Sequence, residues 1–218
     1  MKRILVFVAL ATLSAWVLAA DSDQAVHGSF EGSVVVEWLD DPYLFKMRLT
    51  KELLFRQAGG KTWVVPTDAV VDGRSMPMLF VRQVGDPFQS AFRKTAVVYD
   101  YAAKAQEESW EDAQHMFYDG VLVEGILPVE AKVMYLLLNA TGLRWEKRGT
   151  ADCYGRCHAR DADLDWTPKV RDEQVLALVS WVRAEDPSLD EIERQVGDVI
   201  LEKGPHIIGR IHPIPQQK

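Results

Sequence analysis

VVPTDAVVDGRSMPMLF at residues 64–80, FRKTAVVYDYAAKAQEESWEDAQHMFYDG at residues 92–120 and VMYLLLNATGLRW at residues 133–145 together decide how this chain is read. Within the first of them Asp72-Gly73 is a strong turn dipeptide, and Ser75, two residues before Pro77, has the form of a cap or turn hydrogen bonder. Beyond Asp86 the apolar spacing becomes helical. Asp86-Pro87 reads as an N-cap followed by a first-turn proline, and Phe92, Ala96, Tyr99 and Ala103 recur at intervals of three and four up to about Ala105. Ser109-Trp110-Glu111-Asp112 then has the form of a capping box opening a second helix with Met116, Phe117 and Val121. Pro128 starts a third, carrying Val129, Val133, Met134 and Leu137 and stopping near Gly142.

Working outward, residues 33–38, 43–55 and 61–65 are rich in β-branched and aromatic side chains, punctuated by Asp40-Asp41-Pro42 and Gly59-Gly60. They predict a small antiparallel sheet, with Gly59-Gly60 as a hairpin turn. On the other side, Thr167-Pro168 marks a helix start followed by a stripe of Val175, Leu178, Val179 and Val182. Ser188-Leu189-Asp190-Glu191 is a second capping box, with Ile192, Val196, Val199 and Ile200 as its apolar face, ended by Lys203-Gly204-Pro205. These two helices form either a hairpin added to the core or a separate interaction module. The expected class is α+β: a small N-terminal antiparallel sheet packed with a three-helix core, plus a C-terminal helical hairpin. The divisions are 1–20, a signal peptide; 21–148, the α+β domain; 149–167, a cysteine loop; and 168–218, the hairpin and an extended tail.

Lys2 and Arg3 precede an apolar run over residues 4–18, and Ala19 and Ala20 precede the polar Asp21-Ser22-Asp23, which is the form of an export signal. The expected location is periplasmic or secreted, with no stable membrane span after processing, since the run is short for a span. Removal of residues 1–20 takes away two cations and no acid, making the formal charge of −7 still more negative. Such a balance disfavours nucleic acid and anionic membranes as general partners. With 48% hydrophobic residues the chain is able to bury a substantial core.

Both cysteines, Cys153 and Cys157, fall in ADCYGRCHARDAD at residues 151–163. In an exported protein a local disulfide is the favoured reading, closing a small ring that stiffens the loop. A metal site from Cys153, Cys157 and His158 with Asp152 or Asp161 is the alternative, although the spacing matches no Cys-x-x-Cys pair.

Several side chains carry both a structural and a chemical reading. Ser75 as a nucleophile needs a base, for which His115 on the second helix is the candidate. Asp112 is either a helix cap or a carboxylate for catalysis. Asp100, in the middle of an apolar helix, pairs with Lys104 one turn on, or faces inward and needs backbone donors, Arg74 or a cation. Asp72, the Gly73 backbone and Asp100 supply hard oxygens that suit calcium, too few without further ligands. Tyr99, Tyr101, Phe117 and Tyr118 read as an aromatic seam or as the wall of a ligand pocket.

With Val65-Pro66, the run from Asp72 through Gly73, Arg74, Ser75 and Met76 to Pro77, and Ala96-Val97-Val98-Tyr99-Asp100-Tyr101 in place, the chain resembles the family named domain of unknown function 1353, over about residues 65–145. That family's pattern is Val-Pro, Asp-Gly-Ala-Ser-Ile-Pro, a helix bearing Ala-Val-Val-His-Asp-Tyr, then Ala-Asp-x-x-Phe and a helix ending in Gly. The motif order is also similar to secreted bacterial phospholipase A2, in which the His is the general base and the next Asp helps bind calcium. What that similarity implies breaks where chemistry would begin. The His position falls on Tyr99, a phenol with an ordinary pKa of about 10 and a poor base at neutral pH. The second Asp falls on Gln114, unless a two-residue shift recruits Asp112. Asp72, Gly73, Ser75, Pro77 and Asp100 keep the pattern. The resemblance therefore implies a non-catalytic binding domain on a hydrolase-like scaffold, with Asp72, Gly73, Ser75, Tyr99 and Asp100 at its ligand site. A small ligand, an envelope component or a protein is the expected partner. A calcium-dependent lipid or ester hydrolase and a helical scaffold protein are the alternatives.

Overall fold

The structure is a computed structural model that describes residues 26–40, 46–145 and 166–200. The expected export signal, Cys153 and Cys157 of the expected disulfide, and the expected tail lie outside them. The strands among the described residues are β1 (Gly28–Glu31), β2 (Val36–Leu39), β3 (Lys46–Leu49), β4 (Leu53–Gln57), β5 (Thr62–Val65) and β6 (Val70–Val71). The helices described after them are α1 (Met78–Val84), α2 (Arg93–Ala105), α3 (Trp110–Val123), α4 (Pro128–Thr141), α5 (Asp172–Glu185) and α6 (Leu189–Val199). The class is α+β, as the strand and helix patterns predict.

The strands divide into two antiparallel three-stranded sheets, β1-β4-β5 and β2-β3-β6, rather than one. The division falls inside the run read as a single strand over residues 43–55. Thr50, Lys51 and Glu52 interrupt it, the Thr50 amide making a last bond along the β2–β3 ladder to the Val35 carbonyl (2.9 Å) before the chain turns into β4. On either side Met47 and Leu49, then Leu53 and Phe55, point into one core with the alternation of a half-buried strand. Gly59-Gly60 does make the β4–β5 hairpin, pairing Leu53 with Val65 and Phe55 with Trp63.

α2 packs on β4, β5 and β6, and α3 packs on β1 and β4. α4 lies against α1, α3, α5 and α6. Contact on so many sides explains why the unbroken run Val133 to Ala140 is buried throughout rather than along one stripe. Two start signals work as read, with Ser109 accepting the Asp112 amide at α3 and the full capping box of Ser188 and Glu191 at α6. Asp86-Pro87 instead opens a turn, the Asp86 carboxylate accepting the Phe88 amide (2.9 Å), and α2 begins only at Arg93. That helix has no cap of its own. Glu124, at the end of α3, supplies it by accepting the Lys94 and Thr95 amides (3.0 and 2.9 Å) and the Thr95 hydroxyl (2.6 Å). Gly120 permits the approach, because a Cβ there would lie 2.6 Å from Thr95 Oγ1.

α5 and α6 form a hairpin whose Val175, Val179, Val182, Ile192 and Val196 join the same apolar core as α4. Arg183 grips Glu130 through two 2.9 Å bonds, and Lys132 reaches Asp186 (2.6 Å). The hairpin is thus added to the core. A backbone pair between Arg144 and Trp166 (2.8 and 3.0 Å) brings the chain back beside α4, with the Arg144 guanidinium over the rings of Trp110 and Trp166.

Candidate functional site

Where β6 ends, the chain makes the turn that leads into α1. Asp72 Oδ1 accepts the Arg74 amide (3.1 Å), Gly73 adopts φ +70°, and the Met76 amide returns to the Gly73 carbonyl (3.1 Å). Glycine is required at 73 on two counts. A side chain disfavours that φ, and a Cβ would sit 2.8 Å from the Phe88 ring.

The turn is held from below by Asp100, whose side chain is wholly buried on α2. Its Oδ2 accepts the Asp72 amide (2.9 Å) and its Oδ1 accepts the Ser75 amide (3.2 Å). Lys104, one helical turn on, places Nζ 2.8 Å from Asp100 Oδ2 and 2.8 Å from Asp72 Oδ1. A buried carboxylate needs such partners, and here two amides and an ammonium meet the need together. Partial burial pushes the Asp72 carboxyl up, but hydrogen bonds from Lys104 and the Arg74 amide, with the charges of both residues, outweigh it and hold it below the ordinary aspartate value. The position a divalent cation would take between Asp72 and Asp100 is the one Lys104 Nζ fills. Among the described residues no cluster of three or more His, Cys, Asp or Glu is placed to hold a metal ion.

Above this turn lies an open groove of about 990 Å³. Gly73, Arg74 and Ser75 form one side, α1 contributes Leu79 and Val81, and Leu143 and Val170 close the far side. Thr167 and Pro168, just past the return of the chain at Trp166, line the groove as well.

Tyr99, one residue before Asp100, points the other way. Its side chain is fully buried, edge-on to Phe117 at 5.5 Å between ring centres, and its hydroxyl has no hydrogen-bond partner among the described residues. Burial raises its pKa, eased in part by the neighbouring Gln114 amide. Gln114 is also fully buried; it donates to the Leu138 carbonyl (3.1 Å) and accepts from Asn139 (3.2 Å). The positions at which the family pattern carries His and Asp do meet in space. Here they hold a phenol and an amide in a closed core.

The remaining candidates are not brought together with Ser75. His115 faces α4 and α6, with Nε2 3.3 Å from the Tyr135 hydroxyl and 3.4 Å from Glu193 Oε1, while Tyr135 donates to Glu193. Asp112 pairs with Lys61 (2.9 Å), which also holds Glu108 (2.8 Å). Neither residue lines the groove. Sequence reasoning passed over a further chain of contacts in which His27 Nδ1 meets Asp119 (3.0 Å), Gln57 donates to Asp119 (2.8 Å) and Trp63 donates to Gln57 (2.7 Å). Asp119 lies 92 residues from His27 and 62 from Gln57, so no spacing signals it. Lys104, by contrast, was visible as the i+4 partner of Asp100.

These features define a small α+β domain with a buried carboxylate clasp beneath an exposed turn and groove. Residues 47–138 match the family described as "Protein of unknown function (DUF1353)", so the match begins at β3, earlier than the motifs alone indicated. The chain is 30% identical to "Uncharacterized protein y4jT" of Sinorhizobium fredii over 54% of this chain and 35% of that protein. It is 29% identical to "Uncharacterized protein y4iH" of the same organism over 39% of this chain and 36% of that protein. The matches thus span about a third of the length of these curated relatives. No solved structure matches the chain. No helix among the described residues is long and apolar enough to cross a membrane.

Proposed function

We propose that this is an exported, non-catalytic binding domain whose ligand occupies the groove beside the Asp72 turn. One observation carries the reading. The place where the family pattern would put a general base holds Tyr99, with its hydroxyl enclosed beside Gln114 and its pKa raised, so it neither reaches water nor gives up its proton near neutral pH. The turn that would present a ligand, by contrast, is fully built by Asp100 and Lys104 and opens on a groove of small-molecule size. His115 and Asp112 are held by other partners away from the groove, which removes the base that Ser75 needs.

The test is hydrolysis of phosphatidylcholine vesicles and of a nitrophenyl ester by the purified chain, with millimolar calcium present. The expected result is no turnover above buffer and no calcium effect on Tm. Turnover abolished by Ser75→Ala or by Asp72→Asn would overturn the proposal in favour of a calcium-dependent hydrolase.

A further inference from the structure

Among the described residues three cations stand at the groove: Arg74, Arg82 and Lys104. Two are committed. Arg82 donates to Asp172 (2.7 Å), and Lys104 lies between Asp72 and Asp100. Arg74 is different. Its amide is used in the turn, but its exposed guanidinium makes no hydrogen bond among the described residues. Asp72 attracts it only at a distance, the Asp72 carboxylate being occupied by Lys104 and the Arg74 amide. Alongside this unpartnered fork runs an apolar floor of Met76, Leu79, Val81, Ala103, Leu143 and Val170.

Resting on the reading of the groove as a ligand site, we propose that its occupant is a free single-chain amphiphile with one anionic head, a medium-chain carboxylate, held at the head by Arg74. A planar guanidinium matches a carboxylate through two parallel N–H bonds, which a neutral head does not offer in return. The tail lies along the floor between α1 and Val170, removing apolar surface from water. A bilayer surface fits less well than a free molecule. The whole chain carries a net charge of −7, which repels anionic lipid, and a single cation without a hydrogen-bond partner at the groove, counted among the described residues, does not anchor a membrane.

The experiment compares octanoate with 1-octanol, each below its aggregation limit, titrated into the purified chain with methyl-labelled methionine. Met76 and Met78, at the turn and at the start of α1, are the reporters. Both ligands are expected to move these two signals, with octanoate binding about tenfold tighter, the size of one charge-assisted contact. Arg74→Ala should abolish that preference while leaving octanol affinity unchanged, and Arg74→Lys should retain part of it. Arg74 is exposed, so these variants are expected to fold. Equal affinity for the two ligands in the wild type, or a preference that survives Arg74→Ala, would overturn the inference and leave the groove standing as a binding site. No movement of either reporter with either ligand would overturn both.

Discussion

Asp100 and Lys104 sit one turn apart on α2, with Nζ 2.8 Å from Oδ2, yet the carboxylate is wholly buried and the ammonium is about a third exposed. The pair is the hinge between core and surface. Its inner member fixes the backbone of the turn at Asp72 and Ser75, and its outer member ties that turn's own carboxylate down.

Asp100→Ala is expected to cost about 3–5 kcal/mol, since it leaves the Asp72 and Ser75 amides without their acceptor and takes from the Lys104 ammonium one of its two carboxylates. Lys104→Met should cost less, about 1–3 kcal/mol, because Asp100 keeps its two amide donors and the lost ammonium was partly solvated. Urea denaturation of both variants checks the order. A loss below about 1 kcal/mol for Asp100→Ala would show that the clasp does not hold the turn.

Tyr99→Phe removes a buried hydroxyl that has no hydrogen-bond partner among the described residues, so stability should be unchanged or rise by up to about 1 kcal/mol. Tyr99→His should lose stability and gain no hydrolytic activity, because the ring stays in a closed core beside an amide rather than a carboxylate. A marked drop in Tm for Tyr99→Phe would reveal a partner for that hydroxyl.

Two carboxylates should respond to pH with opposite sign. Asp72 has a depressed folded value, so its contribution is present above the ordinary aspartate pKa of about 3.9 and is lost as pH falls through the lower folded one. Asp72→Asn should therefore flatten the acid limb of the stability profile. Glu124 is raised, burial outweighing its bonds to Thr95 and Lys94, so its contribution is greatest below about 4.3 and declines as pH rises through the folded value. Relative to Glu124→Gln, the wild type should lose ground between pH 4 and pH 7. A pH-independent difference would contradict this.

Gly73→Ala should cost about 1–2 kcal/mol and broaden the Met76 and Met78 signals, because the left-handed backbone and the Phe88 ring both oppose a Cβ. Gly59→Ala, with nothing within 4 Å of a Cβ, is the control. Equal stability of the two variants would argue that the turn relaxes freely.

Asp72-Gly73, the caps at Ser109 and Ser188, the Gly59-Gly60 hairpin and the helical stripes were all readable because each is a local matter, set by turn chemistry or by a period along one element. The start of α2 was misplaced for a physical reason. Its cap comes from Glu124, thirty residues away, whereas Asp86 offered a nearer signal that serves only a turn. The α1 helix went unrecognised because Pro77 and the short run after it resemble the end of a loop.

By itself the amino-acid sequence determined the class of fold, the family pattern and the replacement of an imidazole by a phenol at Tyr99, since these depend on residue type and short spacing. Only the tertiary structure decided that Asp100 serves both the core and the turn, that His115 faces α6 instead of Ser75, and that among the groove's cations in the described residues the Arg74 guanidinium alone makes no hydrogen bond there. Those outcomes depend on which distant groups close packing brings within about 3 Å, and no local pattern encodes that.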